Sequence, residues 1–279
     1  MKKGILLVAS LVLFLLPAVA FCGETFVIYG DTRTGHESHR AVVAAMASVV
    51  PSAVFHLGDL VEDGNDPAQW KIFNDITAPV RKTADFFPVL GNHENDSPMF
   101  FDNFTYLKGQ RWYAVQRQNV VFFILDSISD ISVGSQQYQW LASELKKYPA
   151  SFKLVLMHYP VFNAAAAREK EHKLQEDLAP LFEQAGVSAV FSGHSHNYQR
   201  FLHKGVRYIV SGGGGAPLHG QERSSPELKK FIEKHHFCVL SPREGFIEVK
   251  VLDTHLAVMD SFLILKKNTA EGGKYAGQD

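Results

Sequence analysis

The chain has little cysteine. Cys22 and Cys238 are the only two in 279 residues, too few and too far apart for a zinc-thiolate site or a disulfide-built scaffold. Charge of one sign is equally scarce. The 28 basic and 29 acidic residues leave a formal net charge of −1, with no basic stripe and no charged block. That balance argues against a nucleic acid polymer as partner. No second apolar run after residue 22 is long enough to span a bilayer. Internal repeats and low-complexity linkers are missing too. What is present is an ordinary globular composition, 46% hydrophobic and 20% charged, in a chain long enough to bury a substantial core.

The N-terminus differs from the rest. Lys2 and Lys3 precede an apolar run from Ile5 to Leu16, Pro17 breaks it, and Ala18-Val19-Ala20 follows. A positive start, an apolar middle and a small-x-small ending predict a secretory signal peptide over residues 1–20, cleaved after Ala20. The competing reading is an uncleaved anchor over Ile5 to Cys22, near the lower limit for a span. Cleavage removes two lysines and moves the formal charge from −1 to −3. The expected location is periplasmic or secreted, with no stable membrane insertion after cleavage. Export permits a Cys22–Cys238 disulfide chemically; cleavage beyond Cys22 leaves Cys238 alone.

From residue 24 the pattern is a short apolar run, a polar strand end, then helical spacing, repeated. Thr25–Tyr29 ends in Gly30-Asp31, Ala53–Leu57 in Gly58-Asp59, and Phe86–Leu90 in Gly91-Asn92-His93-Glu94. Helical periodicity covers Ser38–Val50 and Asp66–Val80, the latter with Pro67 in its first turn. Val120–Leu125 ends at Asp126, Phe152–Met157 at His158, and Val187–Phe191 at Gly193-His194-Ser195-His196, with helices predicted over Ser135–Tyr148 and Glu171–Gln184. Phe100 to Tyr113 reads as an irregular aromatic stretch, a satellite hydrophobic cluster under a loop. Val206–Val210 is followed by Gly212–Gly215, and three antiparallel strands close the chain at His236–Leu240, Phe246–Leu252 and Ala257–Leu265. These features predict a single α/β domain over residues 24–265, with two sheets and flanking helices, and a fraying tail over 266–279.

An isolated His-x-His is most often a surface loop. Here extended backbone would turn His194 and His196 to one side, with Ser195 between them facing away. Five strand ends carry metal-compatible groups: Asp31, Asp59, Asn92-His93, His158, and His194 with His196. Open α/β sheets place ligands at the carboxyl ends of their strands. Carboxylates, an amide oxygen and neutral imidazoles suit zinc, manganese or iron.

Taken in order, Gly30-Asp31, Gly58-Asp59, Gly91-Asn92-His93-Glu94, His158 and Gly193-His194-Ser195-His196 resemble the blocks of the calcineurin-like metallophosphoesterases. Met157-His158-Tyr159-Pro160 and the run Gly193 to Arg200 are most similar to the purple acid phosphatase branch. The resemblance implies two central mixed β-sheets with helices outside, a four-layer α/β/β/α sandwich. It implies two metal ions, iron, manganese or zinc. Asp59 would bridge them, Asn92, His158 and His194 would complete one site, and Asp31 and His196 would hold the other. His93 would contact phosphate and act as general acid for the leaving oxygen. The implied activity is hydrolysis of small phosphomonoesters by attack of a metal-bound hydroxide. The alternatives are a nucleotide phosphodiesterase, or a non-catalytic phosphate- or metal-binding protein with a decayed first site.

Two positions depart from the family pattern. Arg33 stands where many relatives carry histidine, and Glu62 where purple enzymes carry a metal-binding tyrosine. Without that tyrosine a colourless protein is expected. Glu62 could supply a metal oxygen. Arg33 cannot bind metal and could instead clamp a phosphate oxygen, or be structural. Among weaker features, His172 reads as an exposed helix histidine, His235-His236 as structural, and Gly212–Gly215 as a backbone rim near the metals.

Overall fold

Alternation inside the short apolar runs decides the layering. In the computed structural model, which describes residues 23–149, 151–166 and 170–266, Phe26 and Ile28 of the first strand turn inward and Val27 and Tyr29 turn outward. Val120, Phe122 and Ile124 likewise oppose Val121 and Phe123. Successive strand residues face opposite sides, so a run apolar on both faces is covered on both.

The strands are β1 (Phe26–Tyr29), β2 (Ala53–His56), β3 (Asp85–Pro88), β4 (Tyr113–Arg117), β5 (Val120–Ile124), β6 (Phe152–Met157), β7 (Ala189–Ser192), β8 (Tyr198–His203), β9 (Val206–Ser211), β10 (Leu228–Ile232), β11 (His236–Pro242), β12 (Phe246–Asp253) and β13 (Val258–Leu265). The helices are α1 (His36–Ser48), α2 (Pro67–Arg81), α3 (Pro98–Asn103), α4 (Gln136–Lys147) and α5 (Glu171–Gln184). One sheet has the order β13-β12-β11-β1-β2-β3 and the other β10-β8-β9-β7-β6-β5-β4. β1, β2 and β3 run parallel, as do β5, β6, β7 and β9; β11, β12 and β13 are antiparallel, as the short loops between them required. Both sheets are mixed, and helices flank them, so the expected α/β architecture is the one observed.

Between the sheets lies the central core. Phe55 of β2 stacks on Phe122 of β5 with ring centroids 4.0 Å apart, and Phe26 meets Phe122 edge-on at 5.2 Å. Outside the first sheet, Val42 and Met46 of α1 and Trp70, Phe73 and Ile76 of α2 pack with Phe100 and Phe104. Leu141 and Leu145 of α4 and Leu174, Leu178 and Phe182 of α5 cover the second. Each such fully buried side chain stabilises the fold by about 1.5–3 kcal/mol before entropy is counted. Asp66 caps α2, accepting from the Ala68 N–H at 2.8 Å with Pro67 in the first turn, and Ser135 caps α4 through the Tyr138 N–H at 3.2 Å.

Several expectations need correction. Strands β4, β8 and β10 were not anticipated, α1 begins two residues earlier than its periodicity suggested, and β3 ends at Pro88 rather than Leu90. The aromatic stretch Phe100 to Tyr113 is no satellite: Phe100 and Phe104 belong to the outer core of the first sheet. Cys238 is buried in the central core, with its thiol 3.5 Å from the Ser211 hydroxyl. Its suggested partner Cys22, the segment 1–20 predicted to be a signal peptide and the tail from Lys267 lie outside the described residues.

Candidate metal centre

The parallel strands of both sheets deliver polar residues to one edge. Asp31 follows β1 by two residues, Asp59 follows β2 by three, His158 comes directly after β6, and His194 follows β7 by two. Asp31, Asp59 and His194 all sit in the left-handed region, with φ of 61°, 56° and 68°. Non-glycine residues there carry a cost of about 1–3 kcal/mol each, and they cluster at functional sites. Cross-loop hydrogen bonds hold them. Asp31 N–H donates to Gly58 O at 3.1 Å and Thr32 N–H to Asp59 O at 3.0 Å, while His194 N–H donates to both Asp31 oxygens at 2.9 and 3.0 Å. Gly58 has to be glycine. Its φ is +93°, and a Cβ there would come within 2.7 Å of His158 Nδ1 and 2.8 Å of Gly91 N.

His194 and His196 reach the site by a different route from the extended one. Ser195 N–H donates to Gly193 O and Asn197 N–H to Ser195 O, both at 2.8 Å, so the segment folds as two successive three-residue turns. Each histidine then joins its own cluster. Ligand atoms of Asp59, His158 and His194 lie within 4.8 Å of one another, and so do those of Asp31, Asp59 and His196. Asp59 is common to both groups.

Hydrogen bonds to carbonyls fix the imidazole tautomers. A carbonyl only accepts, so His158 carries its proton on Nδ1, facing Leu57 O at 2.8 Å, and His196 on Nδ1, facing Pro217 O at 2.7 Å. Both leave an Nε2 lone pair for the site. His158 Nε2 stands 3.0 Å from Asn92 Oδ1 and 3.4 Å from Asp59 Oδ1; His196 Nε2 stands 3.6 Å from Asp31 Oδ1. Burial pushes the His196 ring down to about 3 and holds His158 below its usual value, so both are neutral. Lone pairs that converge with no proton between them are the signature of a cation site. The carboxylates are crowded in a buried site, where their charge is unfavourable without a counter-ion. Burial, and then the Asp59 charge, raise Asp31 well above the carboxylate range and Glu94 to about 8. Bound cations reverse that logic. The donor set therefore fits two borderline or hard metal ions.

Glu94 and His219 were not given roles from sequence. Glu94 is fully buried and accepts backbone N–H groups from Gly91 (2.6 Å), Leu60 (2.8 Å), Asp59 (3.0 Å) and Val61 (3.4 Å), so one carboxylate pins the Asp59 loop to the Asn92 turn. Its position beside His93 in a strand-end turn was the available signal. His219 stacks on His196 at 4.1 Å and 20°, and its N–H donates to His196 O at 2.9 Å. It lies in a polar stretch with no periodicity, so nothing local marked it. Asp126, the remaining strand-end carboxylate, is engaged elsewhere, by Arg111 Nε at 2.6 Å and by its own turn.

The other anticipated residues surround the clusters. His93 donates from Nδ1 to Glu62 O at 2.8 Å, and its Nε2 lies 3.9 Å from Asp59 Oδ2. Arg33 Nε lies 3.8 Å from that same oxygen, and Arg33 Nη1 pairs with Glu62 Oε2. Gly212 packs so closely that a Cβ would sit 2.3 Å from Ser195 O and 2.8 Å from Asp31 Oδ2. His172 is exposed and pairs with Glu176, while His236 is buried against Ser211.

Comparison with known proteins gives the family. The model for calcineurin-like phosphoesterases matches residues 24–198. The chain is 28% identical over 162 residues to purple acid phosphatase 18 of Arabidopsis thaliana, covering 51% of this chain and 37% of that protein. To human tartrate-resistant acid phosphatase type 5 it is 25% identical over 231 residues, covering 71% and 70%. Among solved structures, purple acid phosphatase PPD1 from yellow lupin seeds superposes with a TM-score of 0.75 at 19% identity, over 91% of this chain and 57% of that one. The chain spans under half the length of the first plant relatives it matches. Fold, motif order and family model converge, and the chain belongs to the calcineurin-like phosphoesterase family, with its likeness running to the purple acid phosphatases.

Proposed function

We propose that the protein is a metal-dependent phosphoric ester hydrolase that acts on small phosphomonoesters. One observation carries the reading: Asp59 belongs to both ligand clusters, with the His93 and Arg33 side chains facing one of its oxygens. In this reading two ions would be held with Asp59 in common, one by Asn92, His158 and His194 and the other by Asp31 and His196. Bound ions supply a nucleophile from water at neutral pH and offset charge on the phosphoryl oxygens. The chain's own groups do the rest. Arg33 holds a phosphate oxygen with its planar fork. His93, its Nδ1–H held by the Glu62 carbonyl, delivers a proton from Nε2 to the leaving oxygen.

A non-catalytic phosphate- or metal-binding protein is the second reading, favoured by a guanidinium standing 3.8 Å from the shared carboxylate. Hydrolysis of p-nitrophenyl phosphate against its bis-ester, after reloading with manganese, zinc or iron, separates the possibilities. Turnover of the monoester supports the proposal and preference for the bis-ester points to a diesterase. Inactivity on both, with metal content confirmed, supports the binder. Export through the segment 1–20 is part of the same proposal. It rests on the Lys2-Lys3 start and the Ala18-Val19-Ala20 ending. An intact mass of the mature protein that still contains residues 1–20 would contradict it. No helix among the described residues is long and apolar enough to cross a membrane.

A further inference from the structure

Arg33 and Glu62, the two departures from the family pattern, are partners. They lie 29 residues apart in the chain, and Arg33 Nη1 pairs with Glu62 Oε2. Glu62 makes a second contact with its backbone, where its carbonyl accepts from His93 Nδ1 at 2.8 Å. Its N–H is itself tied down, donating at 2.8 Å to Gln69 Oε1 of α2, which also accepts from Asp63 N–H at 3.1 Å. One residue anchored to a helix thus touches both groups that face Asp59 Oδ2. The Arg33 Nε atom is buried and has no hydrogen-bond partner among the described residues. An unsatisfied buried N–H beside a cation site is a donor kept for an incoming anion. Arg33 Nε and His93 Nε2, at 3.8 and 3.9 Å from the same carboxylate oxygen, face one small region.

We propose that Glu62 is a positioning residue that yokes the phosphate-holding Arg33 to the proton-delivering His93, and that it is not a metal ligand. The proposal rests on the hydrolase reading for the roles of those two groups. Physically, a free arginine side chain carries about 2 kcal/mol of rotamer entropy, and the ion pair removes part of it before substrate arrives. The two hydrogen-bonded contacts of Glu62 are separable. Truncating its side chain releases Arg33 and removes a carboxylate oxygen 3.8 Å from His93 Nδ1, but leaves the carbonyl that accepts the hydrogen bond from that nitrogen. Phosphate affinity and KM are therefore the quantities that change, with kcat much less affected.

The test uses the metal-reloaded, full-length mature protein, with metal content measured by mass spectrometry and inorganic phosphate binding by calorimetry. Glu62→Ala is expected to keep the wild-type metal stoichiometry and to bind phosphate about 10-fold more weakly, the loss of one charge-assisted contact. Glu62→Gln, which keeps an acceptor without the charge, falls between. The double variant Arg33→Ala/Glu62→Ala binds phosphate no more weakly than Arg33→Ala alone. On p-nitrophenyl phosphate, KM rises in Glu62→Ala while kcat stays within a few-fold. Loss of metal from Glu62→Ala overturns the proposal by making Glu62 a ligand. Unchanged phosphate affinity, or additive single effects, overturns it too. The affinities decide the matter even for a protein that hydrolyses no ester, an outcome that sinks the hydrolase reading alone.

Discussion

A carboxylate shared by two ligand clusters is a point at which both fail together. Asp59→Ala is expected to lose both metals in step, checked by metal stoichiometry on the purified variant; retention of either ion at full occupancy contradicts the bridge. His93 touches neither cluster through a ligand bond. His93→Ala should keep its metals and lose about 10²–10⁴-fold in turnover, the usual contribution of general acid help; a variant that stays near wild-type rate contradicts the assignment. At this scale the sequence was informative where chemistry is written in residue type at strand ends. Asp31, Asp59, Asn92, His93, His158, His194 and His196 all come together. It was silent where a role depends on a distant partner. Glu94 matters because four backbone N–H groups from two loops converge on it, and His219 because it stacks on a ring 23 residues earlier. The pairing of Arg33 with Glu62 was equally hidden, since each residue alone reads as a lost ligand.

Among the elements, short buried strands were the easiest to read and polar hairpin strands the hardest. β5 is a continuous apolar run and β6 breaks one only at Lys153, whose ammonium donates to Ala185 O; both are covered on both faces and stand out by hydrophobicity alone. β8 begins inside the histidine motif, and β10 reads Leu-Lys-Lys-Phe-Ile with neither period. A local signal for β8 existed. Lys204 and Gly205, at φ of 44° and 76°, form the two-residue turn that joins it to β9. The aromatic stretch was misread for a tertiary reason. Phe104 meets Phe100 of its own segment at 5.3 Å, but it also stacks parallel to Phe86 of β3 at 5.9 Å and lies under the Arg81 guanidinium of α2 at 5.1 Å, contacts supplied by other elements. Phe104→Ala should therefore destabilise the fold by about 3–5 kcal/mol, the range for emptying a buried aromatic site. Denaturant unfolding measures it, and a change below about 1 kcal/mol would return the segment to the status of a loop cluster.

For the molecule as a whole, burial of neutral histidines sets how stability depends on pH. Burial lowers His39 from 6.5 to about 3 and His236 from 6.5 to about 4. The unfolded chain takes up these protons before the folded one does. Their contribution is therefore intact above about pH 6.5 and is lost as pH falls from there toward the folded values. Each histidine costs about 1.4 kcal/mol per pH unit across that window. In the metal-free protein the raised Asp31 and Glu94 carboxylates act with the opposite sign, so the test is made with metals bound: the thermal midpoint should then drop between pH 6.5 and 4.5, and a flat profile contradicts the argument. By itself the sequence determined the class of fold, two sheets with helices outside, because periodicity and strand-end polarity are local properties. It also determined the donor set, because metal chemistry depends on residue type. Only the tertiary structure brings those donors into two clusters with Asp59 in common, a division that the family resemblance implied and that no local property of the chain did. Only there does Arg33 meet Glu62 beside Asp59, because distances between loops 29 to 163 residues apart are set by how the two sheets pack and by nothing written locally in the chain.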